Sequence, residues 1–253
     1  MADSTDNFIE ISGLRKSLGE QEVLCGIDLN IKRGERLVII GGSGSGKSVL
    51  LKHLTGLMRA DSGSIRVAGT EITGLSEREL TPVRRRMGVL FQDSALFVSM
   101  SVWENVAFPL RETGIRGEKE IDDRVMAALE AVGLGRHWAK QPDELSGGMR
   151  KRAGLARAIV TNPQCILYDE PTSGLDPILS DSIDRLIVRI QERFQSTAIV
   201  VTHNMKSVDT VADRVAYLRG GTIHFLGTPQ ELKDSKDAAI IDFVEGRSGE
   251  STL

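Results

Sequence analysis

Two Gly-rich runs carry the clearest chemistry in the chain. One is Gly41-Gly42-Ser43-Gly44-Ser45-Gly46-Lys47-Ser48; the other, about a hundred residues later, is Leu145-Ser146-Gly147-Gly148-Met149. The first has the G-x-x-x-x-G-K-[ST] spacing of a phosphate-binding loop. Its glycines free the backbone for left-handed turns, so its N–H groups can point at phosphate oxygens. Val49 opens a helix whose N-terminus adds partial positive charge there. Lys47 is expected to reach the β- and γ-phosphates and Ser48 to ligate Mg²⁺. The alternative is a Gly/Ser-rich turn that ends in Lys-Ser, and the flanking strand and helix patterns argue against it. One nucleotide site needs only one such loop. Two phosphate readers in one copy most simply act on opposite sides of a nucleotide, across a dimer.

Three further positions could act on the same phosphates. The apolar run Cys165-Ile166-Leu167-Tyr168 ends in Asp169 and Glu170. At the carboxyl end of a strand both carboxylates can face a ligand crevice. Asp169 would hold Mg²⁺, directly or through water. Glu170 would polarise or deprotonate an attacking water. An acidic cap at a strand-to-turn junction is the alternative, since Pro171-Thr172-Ser173-Gly174 follows. His203 ends a second apolar strand, Thr197–Thr202, where an imidazole could bond the γ-phosphate and orient the water; otherwise it caps a buried strand end. Gln92 follows the strand-like Gly88-Val89-Leu90-Phe91, and its amide could ligate Mg²⁺ or water without adding charge.

These residues need elements to position them. Glu35–Ile40 reads as a buried strand and Val49–Leu54 as an amphipathic helix, the context a phosphate loop requires. Residues 8–40 predict a small antiparallel sheet from FIEISGL, VLCGIDLNI and ERLVII, with SIRVAGTEI at 64–72 as a further strand. Residues 95–158 have helical periodicity; Val125, Leu129 and Val132 lie on one face. Strands return at CILYDE, TAIVVTH and RVAYLRGGTI, with a helical pattern over 181–194 between them. The order predicts an α/β fold: a parallel core sheet with a helical insertion. From Pro229 the chain is polar, with one amphipathic segment at Ala238–Val244. The closing GRSGESTL is expected to be disordered.

Composition narrows the class. The 253 residues suffice for one large domain. A net charge of −3 gives no support to nucleic-acid binding. No apolar run approaches the length of a bilayer span, and the acidic start, MADSTDNF, does not suit a secretory signal. A cytosolic location is expected. Cys25 and Cys165 both lie in apolar strand-like runs and are expected to be buried thiols rather than a disulfide or metal site. No cluster of metal ligands is visible, so Mg²⁺ is expected to arrive with the nucleotide.

GGSGSGKS, Gln92, LSGGM, ILYDE, the SGLD at 173–176 and His203 occur in the order found in ABC-transporter ATPases, and the chain resembles them over residues 8–230. The resemblance implies a P-loop NTPase with a RecA-like core, an antiparallel β-subdomain and an inserted helical subdomain. The core and β-subdomain would take residues 8–92 and 160–230, the helical subdomain about 93–159, and a short tail 231–253. It also implies ATP and Mg²⁺ as ligands and a head-to-tail homodimer with two ATP molecules at its interface. Ser146, Gly147 and Gly148 would contact the partner's γ-phosphate, and Asp176 would sit in a loop linking the two sites. Three positions depart from the common pattern. Met149 stands where Gln is common and Gly42 where Pro is common. Leu18 stands where many relatives place an aromatic on the adenine.

A narrower likeness lies in residues 87–112 with LSGGMRKRAGLARAI, which are similar to the ATPases of MCE/Mla-type phospholipid transporters. That likeness implies transmembrane permease subunits, an MCE-domain lipid-binding protein as a possible partner, and a peripheral place on the cytoplasmic face of the inner membrane. SGLDP at 173–177 is instead the general ABC form. An amino-acid or lipoprotein transporter is the runner-up. An ABC ATPase of DNA or ribosomes lacks support, since no coiled-coil arm, zinc insert or second cassette is visible. A P-loop kinase or GTPase would leave LSGGM and His203 unexplained. Most of the apolar set Leu96, Phe97, Met100, Val102 and Trp103 is expected to be subdomain core, and part of it to form a groove for a short helix of the membrane subunit.

Overall fold

The structure, a computed structural model, describes residues 7–247. The chain begins with β1 (Asn7–Leu18), β2 (Gln21–Lys32), β3 (Arg36–Ile40), α1 (Lys47–Leu54), β4 (Ser62–Val67) and β5 (Thr70–Glu71). It continues through α2 (Glu77–Arg84), β6 (Met87–Leu90), α3 (Val102–Glu112), α4 (Glu118–Ala131), α5 (Gly147–Ile159), β7 (Cys165–Asp169), α6 (Pro177–Phe194) and β8 (Thr197–Val201). It closes with α7 (Met205–Val211), β9 (Arg214–Arg219), β10 (Thr222–Gly227), α8 (Pro229–Lys233) and α9 (Ala238–Glu245). Two compact units divide these elements: one holds the chain up to Ser76 and from Val201 onward, the other Glu77–Val200.

In the first unit one sheet has the order β2-β1-β4-β5, antiparallel throughout. Phe8, Ile9, Ile11 and Leu14 of β1 and Leu24, Ile27, Leu29 and Ile31 of β2 build its core. The sequence reading placed ERLVII in this antiparallel sheet, and the structure corrects it. β3 pairs in parallel with β9, and β9 pairs antiparallel with β10. The physical reason is legible afterwards: Leu37, Val38, Ile39 and Ile40 are all fully buried. A strand apolar on both faces suits a parallel sheet covered on both sides, whereas β2 shows a one-sided alternation over Ile27–Lys32. Cys165 is buried as expected, but Cys25 is only half-buried; neither is in a disulfide.

The second unit carries β6 and β7 in parallel, with β8 on the other side of β7. Its helices bury regular stripes. Val125 and Leu129 of α4 and Val132 at its C-cap are buried, as the spacing predicted, and Ile121 one turn earlier joins them. α3 starts with a capping box in which Ser101 and Glu104 bond reciprocally to each other's main chain. In the tail, Asp237 caps α9, and Tyr217 of β9 packs against Phe243 with ring centroids 4.9 Å apart. Most of the C-terminal GRSGESTL run lies outside the described residues, as does most of MADSTDNF. Among the described residues no helix is long and apolar enough to cross a membrane.

Candidate active site

The phosphate-loop residues follow β3 directly. A Cβ on Gly41 would overlap the main-chain oxygen of Leu218 and lie 2.6 Å from Ser45 Oγ, so no larger residue fits there. Gly46 caps α1 with φ 101°, and a Cβ on it would lie 3.0 Å from Leu24 Cδ2. Between these two positions Gly42, Ser43 and Gly44 are exposed, and Ser45 is half-buried. Lys47 Nζ donates to the main-chain oxygens of Gly41 (2.9 Å) and Gly42 (2.8 Å), which folds the ammonium over the loop. Ser48 is exposed in the first turn of α1. Ser45 Oγ is buried with no hydrogen-bond partner. Gly42 has open space around it, with nothing within 4 Å of a built Cβ.

The same unit holds His203. Thr202 N donates to Ile39 O at 3.1 Å, which fixes the start of this turn to the strand that feeds the phosphate loop. Thr202 Oγ1 accepts from Asn204 N, and Asn204 in turn caps α7 through Lys206 N. His203 is exposed at this junction. Leu18, at the end of β1, is also exposed, as a surface contact to a base requires.

The second unit gathers most of the remaining candidates. β7 ends at Asp169, and Glu170 follows with φ 45°, a left-handed conformation that is strained for a residue with a Cβ. Glu170 O accepts from Ser173 N at 3.1 Å, closing the turn. Gln92 is exposed, and its Nε2 donates to Ser173 Oγ at 3.4 Å. Lys151, buried in α5, donates to the main-chain oxygens of both Gln92 and Glu170. Burial pushes the Lys151 ammonium below the usual lysine range, and the nearby carboxylates Asp93, Glu170 and Asp169 oppose that push.

Ser146 and Asp176 prove to be helix caps. Ser146 Oγ accepts from Met149 N at the start of α5, and Asp176 Oδ1 accepts from Ile178 N and Leu179 N at the start of α6. The two starts are neighbours: a Cβ on Gly147 would lie 3.4 Å from Leu175 Cδ2, and one on Gly148 3.6 Å from Leu179 Cδ1.

Sequence reasoning missed Lys151, and a signal was present: a lysine on the otherwise small and apolar stripe Gly148, Leu155, Ala158 of α5. Asn105 was missed as well. It is fully buried, accepts from Phe97 N, and donates to Phe97 O, Met100 O and Ser101 O. It therefore sets the turn over 97–101. That turn borders an apolar groove of about 400 Å³ lined by Phe91, Ala95, Phe97, Phe108 and Pro109 among others. Of the five apolar residues singled out in the sequence, Phe97 lines it, in keeping with the expectation that only part of the set would. Val102 is fully buried as helix core, and Leu96, Met100 and Trp103 are half-buried outside the lining.

A glycine cradle between a buried parallel strand and a helix, together with a strand that ends in Asp-Glu, defines the chain as a P-loop nucleoside triphosphatase. The ABC transporter family model matches residues 24–173, and the chain belongs to that family. It is an ATPase with the ABC ATPase fold and is similar to an Mla-type ATP-binding subunit. The probable ribonucleotide transport ATP-binding protein mkl of Mycobacterium leprae is 46% identical over 239 residues, 94% of this chain and 69% of that protein. The intermembrane phospholipid transport system ATP-binding protein MlaF of Haemophilus influenzae is 41% identical over 242 residues, 96% of this chain and 92% of that one. Among solved structures, a dimeric post-hydrolysis state of the ATP-binding cassette MJ0796 with ADP and Pi superposes with a TM-score of 0.80. It is 31% identical and covers 87% of this chain and 98% of its own.

Proposed function

We propose that the chain is the ATP-hydrolysing motor of a lipid transporter of the bacterial cell envelope and works as a homodimer bound to separate transmembrane subunits. The observation that carries the lipid reading is the match along nearly the whole of a phospholipid-transport ATP-binding protein. The mycobacterial relative is named for a different cargo, but the chain spans much less of it. An MCE-domain lipid carrier is the matching accessory partner, and the cytoplasmic face of the inner membrane the matching location.

The residues fit a nucleoside triphosphate. The loop from Gly41 to Ser48 offers main-chain N–H groups, a lysine folded over the cradle and a buried hydroxyl at Ser45 that has no protein partner. Val49 continues the loop into α1, and Lys47 would exchange its two carbonyls for phosphate oxygens. Ser48, Gln92 and Asp169 would hold Mg²⁺, which neutralises phosphate charge when bound. Glu170 would take or polarise the proton of the attacking water, and His203 would orient that water against the γ-phosphate. Ser146, Gly147 and Gly148 would close over the partner's nucleotide. Their neighbour Ile178 is 82% exposed, a large apolar side chain that a second copy would cover. Asp176, in the adjoining turn, would link the two sites.

The groove beside Phe97 would receive a short helix of the membrane subunit. Phe97→Glu tests this together with the transporter reading. ATP binding by the purified chain should be unchanged, while co-purification with its membrane subunits and lipid movement in reconstituted vesicles are lost. If the variant assembles and moves lipid normally, the dock lies elsewhere. If wild-type chain co-purifies with no membrane protein, the transporter reading fails.

A further inference from the structure

Helix α5 begins with the Gly-rich residues Ser146–Gly148, and further along it grips the segment after β6 at three successive turns. Lys151 donates to Gln92 O. Gly154 permits close approach, since a Cβ there would lie 2.9 Å from Leu90 Cδ1 and 3.1 Å from Ser94 Cβ. Arg157 donates to Ser94 O (2.7 Å) and Ala95 O (2.6 Å). The gripped residues Ser94 and Ala95 have φ of 61° and 45°. Residues with a Cβ keep such a conformation only where the surroundings over-determine it. Lys151 also reaches a strained position outside this segment: Nζ donates to Glu170 O at 3.3 Å, and Glu170 has φ 45°.

We propose that Lys151 is a positioning residue that couples the two nucleotides of the dimer, because it ties the helix whose tip reads the partner's nucleotide to Gln92 and Glu170, which serve the chain's own. This rests on the roles assigned above to Ser146–Gly148, Gln92 and Glu170. The bonds go to main-chain oxygens, so Lys151 does not itself occupy the Gln92 amide or the Glu170 carboxylate. An ammonium has three N–H donors and can hold two carbonyls at once. A shift of α5 on engaging the partner's γ-phosphate therefore moves both residues together. Lys151 itself touches no phosphate in this account.

The test uses the full chain with Lys151→Met, Lys151→Arg and Glu170→Gln alongside wild type. Nucleotide binding, melting temperature, and hydrolysis against ATP concentration are measured for each. Lys151→Met should bind ATP as wild type does and stay folded, with a modestly lower melting temperature from the two main-chain hydrogen bonds lost. Its kcat should fall by about ten- to a hundredfold with little change in KM, as expected when positioning is lost. The Hill coefficient should fall from above 1 in wild type to 1, and Lys151→Arg should restore most of both. Wild-type kcat and Hill coefficient in Lys151→Met, with Glu170→Gln inactive, would overturn the coupling alone. So would a wild-type Hill coefficient of 1, or a Lys151→Met that unfolds or loses ATP binding along with rate. A Glu170→Gln chain as active as wild type would overturn the underlying reading.

Discussion

Glu170 and Leu18 are the two residues whose chemistry is most open to direct test. Glu170 stands in a strained turn right after the buried strand β7, with its main-chain oxygen held by Lys151 and Ser173. As the proposed general base it would contribute on the order of 10²–10⁴ in rate. Glu170→Gln should therefore bind ATP normally and hydrolyse it slower by that factor in a phosphate-release assay. Lys47→Ala should instead weaken binding itself, since it removes the charge folded over the loop. Leu18 is exposed at the position where the family resemblance implies an aromatic on the adenine. An aromatic contact adds about 0.5–1.5 kcal/mol beyond its buried area. Leu18→Tyr should thus tighten ATP by up to about tenfold in equilibrium titration. Unchanged or weaker binding would mean that another side chain holds the base.

Among the elements, α3 and α5 set the local geometry around the groove and the Gly-rich tip. Asn105 satisfies four main-chain bonds of the 97–101 turn from inside α3. Asn105→Ala should leave those groups unsatisfied, cost about 1–3 kcal/mol of stability, and speed hydrogen exchange at the Phe97 amide; unchanged melting would contradict this. Much of this level was legible in the sequence. The phosphate loop, the strand before Asp169 and the α4 stripe were all read from spacing, because periodicity and glycine placement report local backbone needs directly. What was not legible depended on partners distant in sequence. β3 was assigned to the wrong sheet because an apolar run does not name its neighbour, which is β9. Lys151 was passed over because a lysine in a helix is usually solvated, and its acceptors lie 59 and 19 residues away. For the roles of the site residues, the sequence supplied their types and order, while the structure adds which of them share hydrogen bonds.

At the scale of the whole molecule, the account depends on two copies. Ser146 and Asp176 already have local work as helix caps, so their positions alone do not require a second chain. A second chain would explain the pairing of a phosphate loop with a second Gly-rich tip, and the exposure of Ile178, next in sequence to the Leu179 that faces that tip. Ser146→Arg would place bulk and charge there. It should abolish hydrolysis while the monomer still binds ATP, and loss of monomer binding would mean that Ser146 serves its own chain's nucleotide.

The central claim is that ATP is held between two copies, each lending residues to the other's nucleotide. The most direct measurement is the mass of Glu170→Gln by light scattering, with and without saturating Mg²⁺ and ATP. The account predicts a species near the 27.6 kDa of the single chain without nucleotide, and one of about twice that mass with ATP. A chain that binds ATP and stays monomeric at saturation would contradict it.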